Sequence, residues 1–139
     1  MHTQRGLTAL ELLVVVAIIA MLAAVAVPRF STLDREAREE AVISLADGVK
    51  SSAELTYQIW SAAGQPETLN FQGEEITLVH GYPAEQAIAQ AVIGPGGFRQ
   101  KDGVWIHDAA RSALDCGVIY LPPARAGMSA TVNAYTDGC

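Results

Sequence analysis

The first carboxylate of the chain, Glu11, is followed from Leu12 to Val27 by a run without a single charged or polar residue. A carboxylate carried into hydrocarbon by such a run costs on the order of 2.5 to 3.5 kcal/mol. A place in the first turns of a helix, where the dipole favours negative charge, offsets only about 0.3 to 1 kcal/mol of that. The chemistry Glu11 needs is therefore a positive partner. Cleavage after Gly6 would create one, because the new amino terminus would lie on Leu7, four residues before Glu11.

Other reactive side chains form no comparable constellation. His107 stands beside Asp108 with serines nearby, but neighbours on a strand point to opposite faces and no GxSxG turn is present. His80 and His107 read as polar positions at strand ends. "GPGG" from Gly94 is a flexible turn, since neither GxGxxG nor a following Lys with Ser or Thr occurs. There is no CxxC, and three isolated histidines offer no ligand spacing. The expectation is a non-enzyme with no catalytic residues, no metal and no cofactor.

The elements that must position Glu11 follow from composition. The chain has 139 residues, 50% of them hydrophobic, and a formal net charge of −6. Its mean hydropathy of +0.23 is high for a soluble chain of this size, and the excess sits in the N-terminal run. The acidic balance removes the generic electrostatic attraction to nucleic acid or anionic lipid. Arg99, Lys101, Arg111 and Arg125 are scattered cations of the C-terminal half and read as a solvated surface, so nucleic acid is not an expected partner. As a helix, Leu7 to Phe30 would span about 36 Å, enough for a hydrocarbon layer of about 30 Å. A buried core helix would show a polar face, and this run has none. A removed secretory signal would end in a small-residue cleavage site and a polar mature sequence. Here "VAVPRFSTLDREAREEA" continues the helical pattern past Pro28. The membrane helix is the favoured reading, with Arg5 keeping the N-terminus cytoplasmic.

"RG" followed by "LTALELLVVVAIIAMLAAVAVPRF" resembles the leader and N-terminal segment of type IV prepilins: a short basic leader ending in Gly6, a glutamate fifth after it, a long apolar helix, and Pro28. Leu7 replaces the usual phenylalanine, and Ala20 stands where many pilins carry a glycine. The resemblance implies cleavage between Gly6 and Leu7 by a prepilin peptidase, N-methylation of Leu7, and residence in the inner membrane. Assembly machinery in that membrane would then extract the subunit into an extracellular helical polymer of identical or related pilins. In the fibre, used for adhesion or motility, Glu11 would pair with the Leu7 amine of a neighbour and fix axial register. The expected organisation is a leader at 1–6, an apolar membrane and filament-core helix at 7–30, an amphipathic continuation at 31–63 and a β-rich head at 64–139.

Beyond Phe30, Leu33, Ala37, Ala41, Leu45, Val49, Ala53, Ile59 and Trp60 fall near one helical face. The run "DREAREE" reads as a solvated face. Pro28, which lacks an amide hydrogen, and Gly48, about 1 kcal/mol worse than alanine in a helix, are the expected places of a bend or local melting. "AAGQP" ends the helix. "EEITLVH", "GVWIH", "GVIYL" and "MSATVNAYT" read as strands, and "AEQAIAQAVI" after Pro83 as a short helix. The fold class is α+β, a long N-terminal helix packed on a small antiparallel sheet. "ITLVHGYPAEQAIAQAV", with "PRFSTLDREARE" before it, is similar to the mannose-sensitive haemagglutinin subgroup of pilins. In an exported chain the even count of two cysteines argues that Cys116 pairs with Cys139.

Two function classes stay open: a structural pilin, and a pseudopilin of a type II secretion system built on the same N-terminal segment. The cysteine pair favours the pilin, since major pseudopilins rely on a calcium site and no acidic cluster lies near this C-terminus. A membrane-anchored binding module that never polymerises is a third option. If Gly6 precedes the cleavage site, protein recovered from the cell surface begins at Leu7, and Gly6→Val leaves an uncleaved membrane precursor. Intact mass decides this; surface protein still starting at Met1 would contradict it.

Overall fold

The structure, a computed structural model, describes the backbone of residues 9–71 and 73–139 and the side chains of these except 25–33. The expected leader, Gly6 and Leu7 lie outside the described residues. Helix α1 runs over Ala9–Ala62, and the chain divides into two compact units between Glu36 and Ala37. Helical structure continues through Pro28 and Gly48.

Within the unit 37–139, α1 buries a stripe formed by Val42, Leu45, Val49, Ala53 and Thr56. Their spacings of three, four, four and three residues keep them on one side of a 3.6-residue turn. The expected face differs at both ends. It ran in four-residue steps through Ala37 and Ala41, and each such step rolls the stripe about 40° round the helix. Ala37 and Ile59 are exposed, Val42 and Thr56 take the buried places, and the Leu33 side chain lies outside the described residues. Thr56 is tolerated there because its hydroxyl donates to the Ser52 carbonyl at 2.7 Å.

There are two antiparallel sheets in this unit; the second, with Tyr82 and Ile88, covers the stripe, while Ile76 of the first packs in a separate cluster with Ala84 and Ala87. The first joins β1 (Thr68–Phe71), β2 (Glu74–Val79) and β3 (Tyr82–Pro83). The second joins β4 (Phe98–Lys101), β5 (Val104–His107), β6 (Gly117–Leu121) and β7 (Thr131–Tyr135) in chain order. Trp105, Val118 and Tyr120 from the second sheet, and Cys116 just before β6, join Val42, Leu45 and Val49 in one core. Two hairpins close through two-residue turns with both residues at positive φ, His80–Gly81 and Asp102–Gly103. That is the type I′ geometry, which matches the twist of the strands it joins.

The four expected strands are present, while β1, β3 and β4 were not anticipated. β4 reads FRQK, a largely exposed edge whose polar side chains carry no strand signature. The expected helix over 84–93 shortens to α2, Ile88–Ala91, without a side-chain N-cap. Val92 is already extended, where β-branched residues and "GPGG" offer the helix little to continue on.

The two-residue strand β3 fastens the first sheet to its neighbours. Tyr82 stacks on Tyr57 at 4.8 Å, and its hydroxyl donates toward both Glu54 carboxylate oxygens at 3.4 Å. The Tyr120 hydroxyl donates to the Pro83 carbonyl at 2.7 Å. A side chain at Gly81 would collide with the Trp60 ring, so glycine is required there for packing as well as for its φ of 89°. Burial raises the Tyr120 hydroxyl pKa, with Tyr82 and Glu85 adding repulsion. Tyr82 is raised by burial first and then by Glu54.

A group whose folded pKa lies above its unfolded value favours the folded state fully below the unfolded pKa and loses that contribution as pH rises through the folded one. Stability of the 37–139 unit should therefore fall as pH climbs past 10.0, the ordinary tyrosine value. Tyr120→Phe should cost about 1 kcal/mol at pH 7 and flatten that alkaline decline, both measured by denaturant titration.

Candidate assembly surface

In the unit up to Glu36, every described side chain from 9 to 24 is exposed. They include Leu10 at 74% and Met21 at 75%, with Leu12, Leu13, Val14, Val15, Val16, Ile18, Ile19 and Leu22 also open. Successive helical residues are 100° apart, so the consecutive run from Leu12 to Val16 alone presents hydrocarbon on every side. This surface differs in kind from the single stripe of the 37–139 unit. Fully covering a large aliphatic side chain is worth about 1.5 to 3 kcal/mol, so ten of them leave on the order of 10 kcal/mol for whatever covers the helix. Glu11 is the acidic residue of the first turn and is itself exposed.

Among the described residues, no helix is long and apolar enough to cross a membrane. The described side chains over 9–24 account for about 24 Å of helix against about 30 Å of hydrocarbon. The expected span of 7–30 extends past both ends of that stretch, with residue 7 and the side chains of 25–30 outside the described residues. Pro28 falls in the same gap. At Gly48 a Cβ would meet nothing within 4 Å.

The cysteines lie at the other end of the chain. Cys116 and Cys139 are joined by a disulfide, 23 residues apart with Cα atoms 4.8 Å apart. Cys116 is buried in the core against the α1 stripe, and Cys139 packs against the same cluster. Arg38, part of the run read as a solvated face, donates from Nε to the Cys139 carbonyl at 2.6 Å. No local pattern could have disclosed this contact, because the partners are 101 residues apart.

The remaining polar residues satisfy one another. His107 accepts at Nδ1 from the Ala109 amide and meets the Phe98 ring edge-on. Arg99 donates to the Ala110 carbonyl and stands 3.7 Å from the exposed Asp108 carboxylate. Lys101, Arg111 and Arg125 are exposed, as is His80 in its turn. Among the described residues no group of three or more His, Cys, Asp or Glu is placed to hold a metal ion.

This chain is similar to two fibre proteins. It is 40% identical over 58 residues to a fimbrial protein of Moraxella nonliquefaciens, a match covering 42% of this chain and 38% of that one. It is 34% identical over 83 residues to the type IV major pilin protein PilE of Neisseria gonorrhoeae, covering 55% of this chain and 50% of that one. The chain spans half or less of the length of these relatives. No family model and no solved structure matches it. A long N-terminal helix with a small antiparallel head is the type IV pilin fold, in the α+β class expected from the sequence, and both relatives bear the names of fibre proteins rather than enzymes.

Replacing both cysteines with serine removes a covalent loop closure and should cost the 37–139 unit about 2 to 5 kcal/mol. Denaturant titration of oxidised wild type against the double variant measures the loss. An unchanged midpoint would mean that packing alone holds residue 139.

Proposed function

We propose that the chain is a structural subunit of a type IV pilus. The observation that carries this reading is the helix stretch from Leu12 to Leu22, apolar on every side and exposed throughout. A helix of that kind is stable only inside a bilayer or a large apolar core. The similarity to a fimbrial protein and to a type IV major pilin supports a fibre, and our reading is a bilayer first, then a bundle of the same helices in that fibre.

The subunit's course follows from that. A prepilin peptidase cuts between Gly6 and Leu7 on the cytoplasmic face and methylates the Leu7 amine. The segment 7–30 holds the subunit in the inner membrane, and assembly machinery draws it into an extracellular polymer. There Glu11 meets the Leu7 amine of the adjacent subunit. Each of the two charges supplies the partner that the other needs in a low-dielectric core, so the pair also sets axial register. The segment 31–63 joins this core to the β-rich head. The segments "ITLVHGYPAEQAIAQAV" and "PRFSTLDREARE" support a place beside the mannose-sensitive haemagglutinin pilins. The Cys116–Cys139 disulfide favours a pilin over a type II secretion pseudopilin.

Glu11→Ala separates assembly from folding. The variant should keep its disulfide and its head stability, accumulate as monomer in the inner membrane, and form few or no fibres. Electron microscopy of sheared surface material beside blots of membrane fractions reads the result. Normal fibre numbers would sink the register mechanism.

A further inference from the structure

We infer that residue 139 is a latch that fastens α1 to the β4–β7 sheet, with Arg38 as its catch and the disulfide as its lock. Two independent holds converge on this one residue. The Cys139 sulfur is bonded to Cys116, which immediately precedes β6 and lies in the core. The Cys139 carbonyl accepts from Arg38 Nε at 2.6 Å, on the first turn of α1 within this unit. Main-chain bonds shape the segment between them: the Gly138 amide donates to the Asp115 carbonyl at 2.8 Å and the Cys139 amide to the Thr136 carbonyl at 3.0 Å. The path from sheet to helix is thus short and continuous, running from β6 through the sulfur bridge and residue 139 to the guanidinium.

Position on α1 gives the latch its effect. Arg38 lies one turn before Val42, where the buried stripe begins, and the α1 residues before it, Asp34 to Ala37, are exposed. This turn lies within the continuous helix α1 but has little apolar burial of its own, and segments with few buried contacts open most readily. A charge-assisted bond to a tethered acceptor holds that turn closed. A tethered acceptor costs less entropy to engage than an untethered one, so the bond and the disulfide support each other. Breaking the disulfide with a dithiol moves two electrons and two protons to the sulfurs, giving two thiols while the reductant becomes a disulfide. Residue 139 is then untethered, and the Arg38 bond weakens with it.

Coupling of this kind is reciprocal, and the test reads it in both directions on the full chain in detergent micelles. Hydrogen exchange of peptides covering residues 37–46 is followed in wild type and in Arg38→Met, which keeps the apolar stem and loses the donors. Each is measured oxidised and after dithiothreitol treatment, and the equilibrium of disulfide reduction is recorded separately in dithiothreitol redox buffers. Arg38→Met should speed exchange in 37–46 by about tenfold, the scale of one charge-assisted bond, without changing exchange in β5 and β6. It should also shift the reduction equilibrium toward the dithiol by a similar factor. Dithiothreitol should speed exchange in 37–46 of wild type, and add little in Arg38→Met. Unchanged exchange in oxidised Arg38→Met or an unchanged reduction equilibrium would overturn the latch. So would equal increments from dithiothreitol in both proteins, since independent effects add. Loss of protection throughout the sheet on reduction would likewise overturn it, showing the disulfide to be a general staple.

Discussion

The structure depends on how α1 disposes its apolar surface. From Val42 to Thr56 the hydrocarbon is gathered into a stripe and buried against the β4–β7 sheet, Tyr82 and Ile88. From Leu10 to Leu22 it is spread round the circumference and exposed. A helix apolar all round is stable in a large apolar core or a membrane rather than in water.

The 37–139 unit shows how a small domain compensates for a modest core. Its strands are two to six residues long, and the fraction of surface a chain buries on folding falls with its size, so a small unit has a modest core. Three ties make up the difference. Tyr82 joins β3 to α1 by a stacked ring and a hydroxyl directed at Glu54. Tyr120 joins β6 to β3 through the Pro83 carbonyl. The disulfide joins the last residue to the start of β6. Each links elements distant in sequence, and the disulfide, being covalent, restrains the unfolded chain as well as the folded one.

What was legible in the sequence was whatever repeats or punctuates. The apolar run, the α1 heptad-like pattern, and the strands β2, β5, β6 and β7 all announce themselves through periodicity and composition. What was not legible depends on tertiary partners. β4 is an edge whose polar residues FRQK become a strand only by pairing with β5. The end of the helical stripe was misplaced because Val42 and Thr56 are chosen by the tertiary partners that cover them rather than by hydropathy. Arg38 sat in a charge run that looked like any solvated face, yet its acceptor is 101 residues away. The candidate site divides the same way: Glu11 and the two cysteines stand out by type and context, while the residues that position Cys139 do not.

The central claim is that copies of the same helix cover the stretch from Leu10 to Leu22. Both native cysteines are held in the disulfide, so a cysteine introduced singly at each position from 12 to 22 is the one free thiol of its subunit. Mild oxidation of sheared surface fibres, followed by nonreducing electrophoresis, then reports which positions face another copy. The expected result is dimers of this chain at a subset of positions recurring every three to four residues. Monomer at all positions, or cross-links only to other proteins, would contradict the account.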